Sequence, residues 1–264
     1  MRSSPPDAKN AGSPAPALDA GLAGHFQLLR GECPYGFDKI AVYHEASVLP
    51  AEFYRSDRLM GDLLANGYRR NGGHMYTMRC PDCQGCVSIR LDPQRFRPNR
   101  NQRRVWRRNA DIVVQPAPGP SPDPAGPLAP VTVSARKIAL LSRFLSERFD
   151  NDRNEAWGYY LGFFLSPLGN CWELRYWAGE RLVGVGIVDV SPDWLNAVYF
   201  FFDPDERARS LGTFNILTLI AFCREHKIPR LYLGYCIEGL SAMDYKRAFR
   251  PHELLIDGKW REGE

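Results

Sequence analysis

The stretch WLNAVYFFFDPDERARSLGTFNILTLIAFCREH, residues 194–226, decides the fold. Trp194–Phe202 is a continuous apolar run rich in aromatic residues, which reads as a buried strand. A polar loop follows. Ser210–His226 then carries a helical pattern and stops short of Pro229, because proline cannot continue a helix. Arg230–Cys236 reads as another strand. Upstream, Trp172–Trp177 and Leu182–Val190 flank the turn Ala178-Gly179 and predict a hairpin. Before them, Ser134 caps a helix running to Phe149, with apolar residues at 138, 141, 144, 145 and 149. Helix, antiparallel strands, strand, helix and strand form an α+β order. It predicts one mixed sheet covered by helices, with the long helix following the central strand.

Farther out, QPAPGPSPDPAGPLAP (115–130) holds seven of the chain's 21 prolines. Proline removes backbone donors, so this segment reads as an extended linker. It divides the folded chain into modules of about 25–114 and 131–264. Residues 1–24 are rich in Pro, Ala, Ser and Gly and read as a disordered tail. In the first module Lys39–His44, Val87–Leu91 and Ile112–Val114 read as strands, and Glu52–Ala65 and Asn99–Asn109 as helices. Asn66-Gly67 is a helix stop and Asn71-Gly72-Gly73 a hairpin turn.

With 44% hydrophobic and 12% aromatic residues, the 264-residue chain can bury a sizeable core, which excludes global disorder. No apolar run approaches the roughly 18–20 residues of a membrane span. Met1–Gly24 lacks the apolar core of a signal peptide, so the expected address is cytoplasmic, with no membrane partner. Seven cysteines are then thiols or metal ligands rather than a disulfide framework. The net charge of +4 hides a focus: segment 95–108 holds seven arginines and no acid, leaving the rest of the chain at −3. That pattern points to a local anionic partner.

Three signals carry chemistry. In Cys80-Pro-Asp-Cys83-Gln-Gly-Cys86 three thiols converge on a tight turn, as zinc or iron–sulfur ligation requires. The fourth ligand is most simply Cys33, with His74 in reserve, while Cys171, Cys223 and Cys236 read as core. Arg100, Arg103, Arg104, Arg107 and Arg108 share one helix face, where the guanidinium fork suits phosphate oxygens. No base-reading motif accompanies them, so contact with a nucleic-acid backbone or tRNA shape is expected. Finally, the helix beginning at Ser210 offers free amides and a positive dipole end beside Arg209 and Gly212. Taken alone, that third pattern also fits an ordinary capped helix.

The order of several short motifs resembles a known family. They are Cys33-Pro-Tyr35, Tyr68-Arg-Arg70 with His74-x-Tyr76, the three-cysteine turn, and Arg95-Phe-Arg-Pro-x-Arg-x-Gln-Arg-Arg104. Downstream come Phe202-Asp-Pro204, Arg209-Ser-Leu-Gly212, Tyr232-Leu-Gly-Tyr235, Met243-x-Tyr-Lys246 and Phe249-x-Pro251. Together they resemble the bacterial branch of the aminoacyl-tRNA–protein transferases, over roughly residues 25–262. The resemblance implies an enzyme that moves leucine, or arginine, from charged tRNA to the N-terminal Asp or Glu of a protein in the N-degron pathway. It also implies a GNAT-like C-terminal module beside a cysteine-bearing N-terminal one, and no organic cofactor. A monomer is expected. Ala242 stands where the family commonly has lysine.

The implied chemistry is aminolysis of an activated ester, which positioning and electrostatics can drive. Tyr235, Tyr245 and Lys246 are the leading candidates, with Glu238 as a base and Asp189 as an amine anchor. Arg209 or Arg247 would hold the acceptor's acidic side chain. Two rivals remain. The cysteines and arginines alone fit a zinc-stabilised RNA-binding protein without catalysis. The second module alone fits a GNAT acetyltransferase using acetyl-CoA, although Arg209-Ser-Leu-Gly-Thr-Phe lacks the last small residue of that phosphate loop.

Overall fold

The computed structural model describes residues 12–18, 20–46, 49, 53, 56–115, 128–148, 155–165 and 171–263. In chain order, β1 (Ser13–Pro14), β2 (Gln27–Glu32) and β3 (Ile40–Ala46) precede helix α1 (Asp57–Ala65). The hairpin β4 (Arg69–Asn71) and β5 (His74–Met78) follows, then β6 (Val87–Leu91), α2 (Arg100–Arg108) and β7 (Ile112–Gln115). Next come β8 (Ala129–Pro130), α3 (Ala135–Arg148), the short α4 (Ala156–Tyr159), β9 (Cys171–Ala178) and β10 (Arg181–Val190). Last are β11 (Leu195–Phe202), α5 (Leu211–Glu225), β12 (Leu231–Cys236), the short α6 (Ser241–Asp244), β13 (Glu253–Ile256) and β14 (Lys259–Glu262).

The molecule is α+β, with a large mixed sheet as expected. Its strand order is β1-β14-β13-β6-β12-β11-β10-β9-β7, with β8 also beside β9. A smaller sheet runs β2-β3-β5-β4. In the large sheet β11 and β12 run parallel, and α5 makes the crossover between them. Helix α5 is apolar nearly all round and correspondingly buried, with Leu211, Leu219 and Cys223 fully inside. Each such aliphatic side chain contributes roughly 1.5–3 kcal/mol by leaving water. α3, α4 and the π-helical turn Tyr160–Phe164 cover the opposite face, packing Leu141, Phe144 and Tyr160 against Val185, Ile187 and Phe201.

Caps set the helix ends. Ser56 Oγ accepts from the Leu59 amide at 3.3 Å and caps α1, while the expected start at Glu52 lies outside the described residues. Asn99 and Gln102 form a reciprocal capping box on α2. Two tryptophans fasten α1 to the large sheet: Trp260 Nε1 in β14 donates to Ala65 O at 2.8 Å, and Trp194 Nε1, just before β11, donates to Asp57 O at 3.0 Å.

The division at the linker meets one sheet. β6, from before the linker, lies between β12 and β13, and β7 pairs with β9. Residues 116–127 of the linker lie outside the described residues, as do 1–11, 19 and Phe149. Within the expected tail, β1 pairs with β14 and a 3-10 helix spans Ala20–His25, burying Leu22. Cys223 and Cys236 are buried as expected, but Cys171 is half-buried and its Sγ accepts from Arg70 Nη2 at 3.1 Å.

Candidate active site

β11 and β12 share only the register positions Leu195↔Leu231 and Asn196↔Tyr232 before they part. The gap opens a cavity of about 390 Å³. Its walls include Tyr199 from β11, Ser210 and Gly212 at the start of α5, and Met243, Tyr245 and Lys246 beyond β12. Ser210 adopts a left-handed conformation (φ 56°) and no side chain caps α5, so its first amides and positive dipole end face the cavity. A second cavity of about 490 Å³ is lined by Tyr35, Tyr76, Tyr159 and Phe163. The two share Arg69, Val198, Tyr199, Ala242 and Met243, and so form one cleft with two lobes.

Of the candidates, Tyr245, Lys246, Ser210 and Gly212 meet in the first lobe. Lys246 Nζ donates to Tyr235 O at 2.7 Å and lies 3.4 Å from Met243 Sδ. A Cβ on Gly212 would sit 3.6 Å from the Tyr245 hydroxyl, so helix start and tyrosine are in near contact.

The other candidates are placed elsewhere. Tyr235 is buried away from the lobe. Its hydroxyl accepts from the Met78 amide at 3.2 Å and lies 3.4 Å from Gly67 O and Thr77 Oγ1. Burial pushes its phenol pKa far above the ordinary value, so it is a neutral strut between β12 and the small sheet rather than a base. Asp189 is fully buried against Arg70, whose Nε lies 2.9 Å from both carboxylate oxygens, and Asn196 Nδ2 donates to it at 3.0 Å. It is therefore occupied and does not anchor an incoming amine. Glu238 is 86% exposed and lines neither lobe.

Arg209 and Arg247 are also engaged. Arg209 forms a fork onto Asp111 at 2.7 and 2.9 Å and bonds Glu206 at 2.7 Å. With Asn109 Nδ2 donating to Arg209 O at 3.0 Å, it ties the end of α2 to the approach to α5. Arg247 faces Asp244 at 3.4 Å and Glu238 at 4.0 Å. Sequence reasoning missed Arg69. Alternation in β4 was the available signal, since adjacent strand residues point to opposite faces. Arg70 goes to Asp189 and Arg69 to the cleft.

The arginine face forms as expected. Gln102, Val105 and Asn109 are buried beneath α2, and Arg100, Arg103, Arg104, Arg107 and Arg108 are exposed. None of the five makes an ion pair with a described residue. Arg103 and Arg108 instead donate to the backbone oxygens of Pro98 and Ala208.

Cys33, Cys80, Cys83 and Cys86 line a separate cavity of about 460 Å³. Burial, reinforced by Cys80, Cys33 and Cys83, pushes the Cys86 thiol up to about 12. Cys33, Cys80 and Cys83 thus lie within electrostatic reach of the Cys86 sulfur. Among the described residues, however, no three Cys, His, Asp or Glu side chains stand in ligating arrangement. His74 lies outside that cavity, paired with Glu45 at 2.8 Å.

The chain matches the family models "Arginine-tRNA-protein transferase, N terminus" over residues 31–104 and "Arginine-tRNA-protein transferase, C terminus" over 136–256. It is 37% identical over 207 residues to the aspartate/glutamate leucyltransferase of Marinobacter nauticus, covering 78% of this chain and 82% of that one. It is 35% identical over 246 residues to the same-named enzyme of Stenotrophomonas maltophilia K279a, covering 90% and 92%. Among solved structures, L-PGS from Bacillus licheniformis is similar at 9% identity and TM-score 0.42. That match covers 78% of this chain and 63% of the other.

Proposed function

The chain belongs to the arginine-tRNA-protein transferase family, and from that premise we propose that it transfers leucine from leucyl-tRNA to the N-terminal Asp or Glu of acceptor proteins. It is an aminoacyltransferase, so the readings as a non-catalytic RNA-binding protein and as an acetyltransferase fall away. The added leucine would mark its acceptor for the N-degron pathway, which suits a cytoplasmic enzyme. Among the described residues, no helix is long and apolar enough to cross a membrane.

One observation carries the reading: the arginine face of α2, without an ion pair among the described residues, ends at the mouth of the cleft. Asn109 and Arg209 join the end of α2 to the start of α5, where the first lobe opens. An acceptor stem bound along α2 by its phosphates would deliver its 3′ end to α5's free amides. The parted parallel strands with a helix starting at the gap support a GNAT-like reading of this half. In the reaction, the acceptor's neutral α-amine attacks the ester carbonyl. A C–N bond forms, the bond to the ribose 3′-oxygen breaks, and the amine's proton ends on that oxygen. Tyr245 and Lys246 stand where the ester would lie. They are proposed to orient it and to stabilise its developing negative charge, Tyr245 through its hydroxyl and Lys246 through its ammonium.

The test is transfer of labelled leucine or arginine from charged tRNA to a peptide beginning with Asp. Leucine incorporation is expected. Transfer to neither Asp nor Glu peptides would refute the reading.

The cysteine cavity suits a soft metal by donor type, and we propose that Cys33, Cys80, Cys83 and Cys86 close around zinc or iron–sulfur iron. Such a site would pin the loop before β6 and stabilise the fold. Cys83→Ser should lower the metal content of anaerobically purified protein, and unchanged content would refute the site.

A further inference from the structure

We propose that Arg69 reads the side-chain carboxylate of the acceptor's first residue. The assignment rests on the acceptor being an acidic N-terminus, as proposed above. An Asp or Glu carboxylate lies one or two methylene groups from the carbon bearing the reacting amine. Its reader must therefore stand where the donor lobe and the acceptor lobe meet. Among the described residues, Arg69 is the cation common to both lobes.

The remaining cations of the cleft are already engaged. Arg70 is buried on Asp189, Arg207 pairs with Glu147, and Lys246, held by its bond to Tyr235 O, is assigned above to the ester. Outside the lobes, Arg209 and Arg247 face acids of their own. Arg69 differs: no described residue forms an ion pair with its guanidinium. The guanidinium carbon lies 4.7 Å from the centroid of the Tyr235 ring, a cation–π seat that holds the side chain without using its N–H donors. Its other neighbours are the phenols of Tyr35 and Tyr76 and the Cys86 thiol. Burial keeps the phenol of Tyr235 neutral, so it does not offset the charge.

The backbone makes room for this side chain. Gly234 in β12 has φ +77°, and a Cβ there would fall 2.3 Å from Arg69 Nη2. The glycine thus leaves a slot through which the guanidinium reaches the cleft. A carboxylate arriving opposite the tyrosine would gain a charge-assisted fork in a partly dry site, and an amide isostere would leave the cation unpaired.

The test measures kcat/KM for peptides differing only in a first residue of Asp, Glu, Asn or Gln, at saturating leucyl-tRNA. In Arg69→Gln the Asp:Asn ratio is expected to fall about 10- to 100-fold, with the KM for leucyl-tRNA unchanged. Arg69→Lys keeps the charge but loses the fork, and should keep an Asp preference reduced several-fold. It also serves if the Gln variant melts below the assay temperature. A wild-type ratio in either variant overturns the proposal. Fluorescence anisotropy of the same peptides without tRNA provides an independent reading. Wild type should bind the Asp peptide more tightly than the Asn peptide, and Arg69→Gln should bind the two alike. A wild type that discriminates in binding but transfers nothing would count against the reaction and not against Arg69. A wild type without binding preference for Asp overturns the residue assignment.

Discussion

Arg70 lies with its guanidinium against both oxygens of Asp189, and neither side chain reaches solvent. Such a pair holds because each charge is compensated by the other and by further hydrogen bonds, here from Asn196 and to Gly72 O. The two residues are 119 positions apart, so the pair clamps β4 of the small sheet onto β10 of the large one. Removing one partner strands a buried charge. Asp189→Asn should therefore cost on the order of 3–5 kcal/mol in urea unfolding. The double variant Arg70→Met with Asp189→Leu should recover much of that loss, because no unpaired charge remains. If the single variant unfolds at the wild-type urea midpoint, the clamp is not a stabilising element.

At the scale of elements, α2 divides its two duties by face. Gln102, Val105 and Asn109 hold it to the core, and the arginines are left to solvent. Substituting Arg103 and Arg107 by Gln should weaken binding of many tRNAs alike. It should also flatten the salt dependence by up to about one unit of slope per lost phosphate contact. Equal slopes for variant and wild type in a salt-titrated binding assay would exclude this face as the contact. The helix was legible because its cap, charges and buried face repeat at helical spacing. α5 was legible for similar reasons, and the β9–β10 hairpin from its turn at Ala178-Gly179. β2 was not, because all six of its residues are exposed and show no inward face. The β13–β14 hairpin did carry a signal in Asp257-Gly258, which occupies left-handed conformations at the turn. In the cleft, neighbours in sequence such as Tyr245 and Lys246 were found. The engagement of Asp189 and Arg209 was not, because their partners lie about a hundred residues away.

For the molecule as a whole, acid sensitivity is built into two histidines. Burial holds His44 below its ordinary pKa, with Arg79 adding to the effect, and burial does the same for His252. Both are neutral in the folded state, so protonation favours the unfolded chain. Their contribution is fully present above the unfolded value of about 6.5 and is lost as pH falls. The urea midpoint should drop between pH 7.5 and 5.5, and His252→Gln should flatten part of that drop. A midpoint independent of pH over this range would contradict the assignment.

The seating of β6 between β12 and β13 has a consequence for how the chain is made. Its register partner for Leu91 is Leu231, 140 residues later. On the ribosome, β6 emerges long before either neighbour exists, with both edges unsatisfied and its buried face uncovered. The sheet can close only once translation has passed residue 256, so most of the nascent chain waits on its final segment. A ribosome stalled in α5 would therefore hold an open half-sheet, the natural target of a chaperone that binds exposed strands.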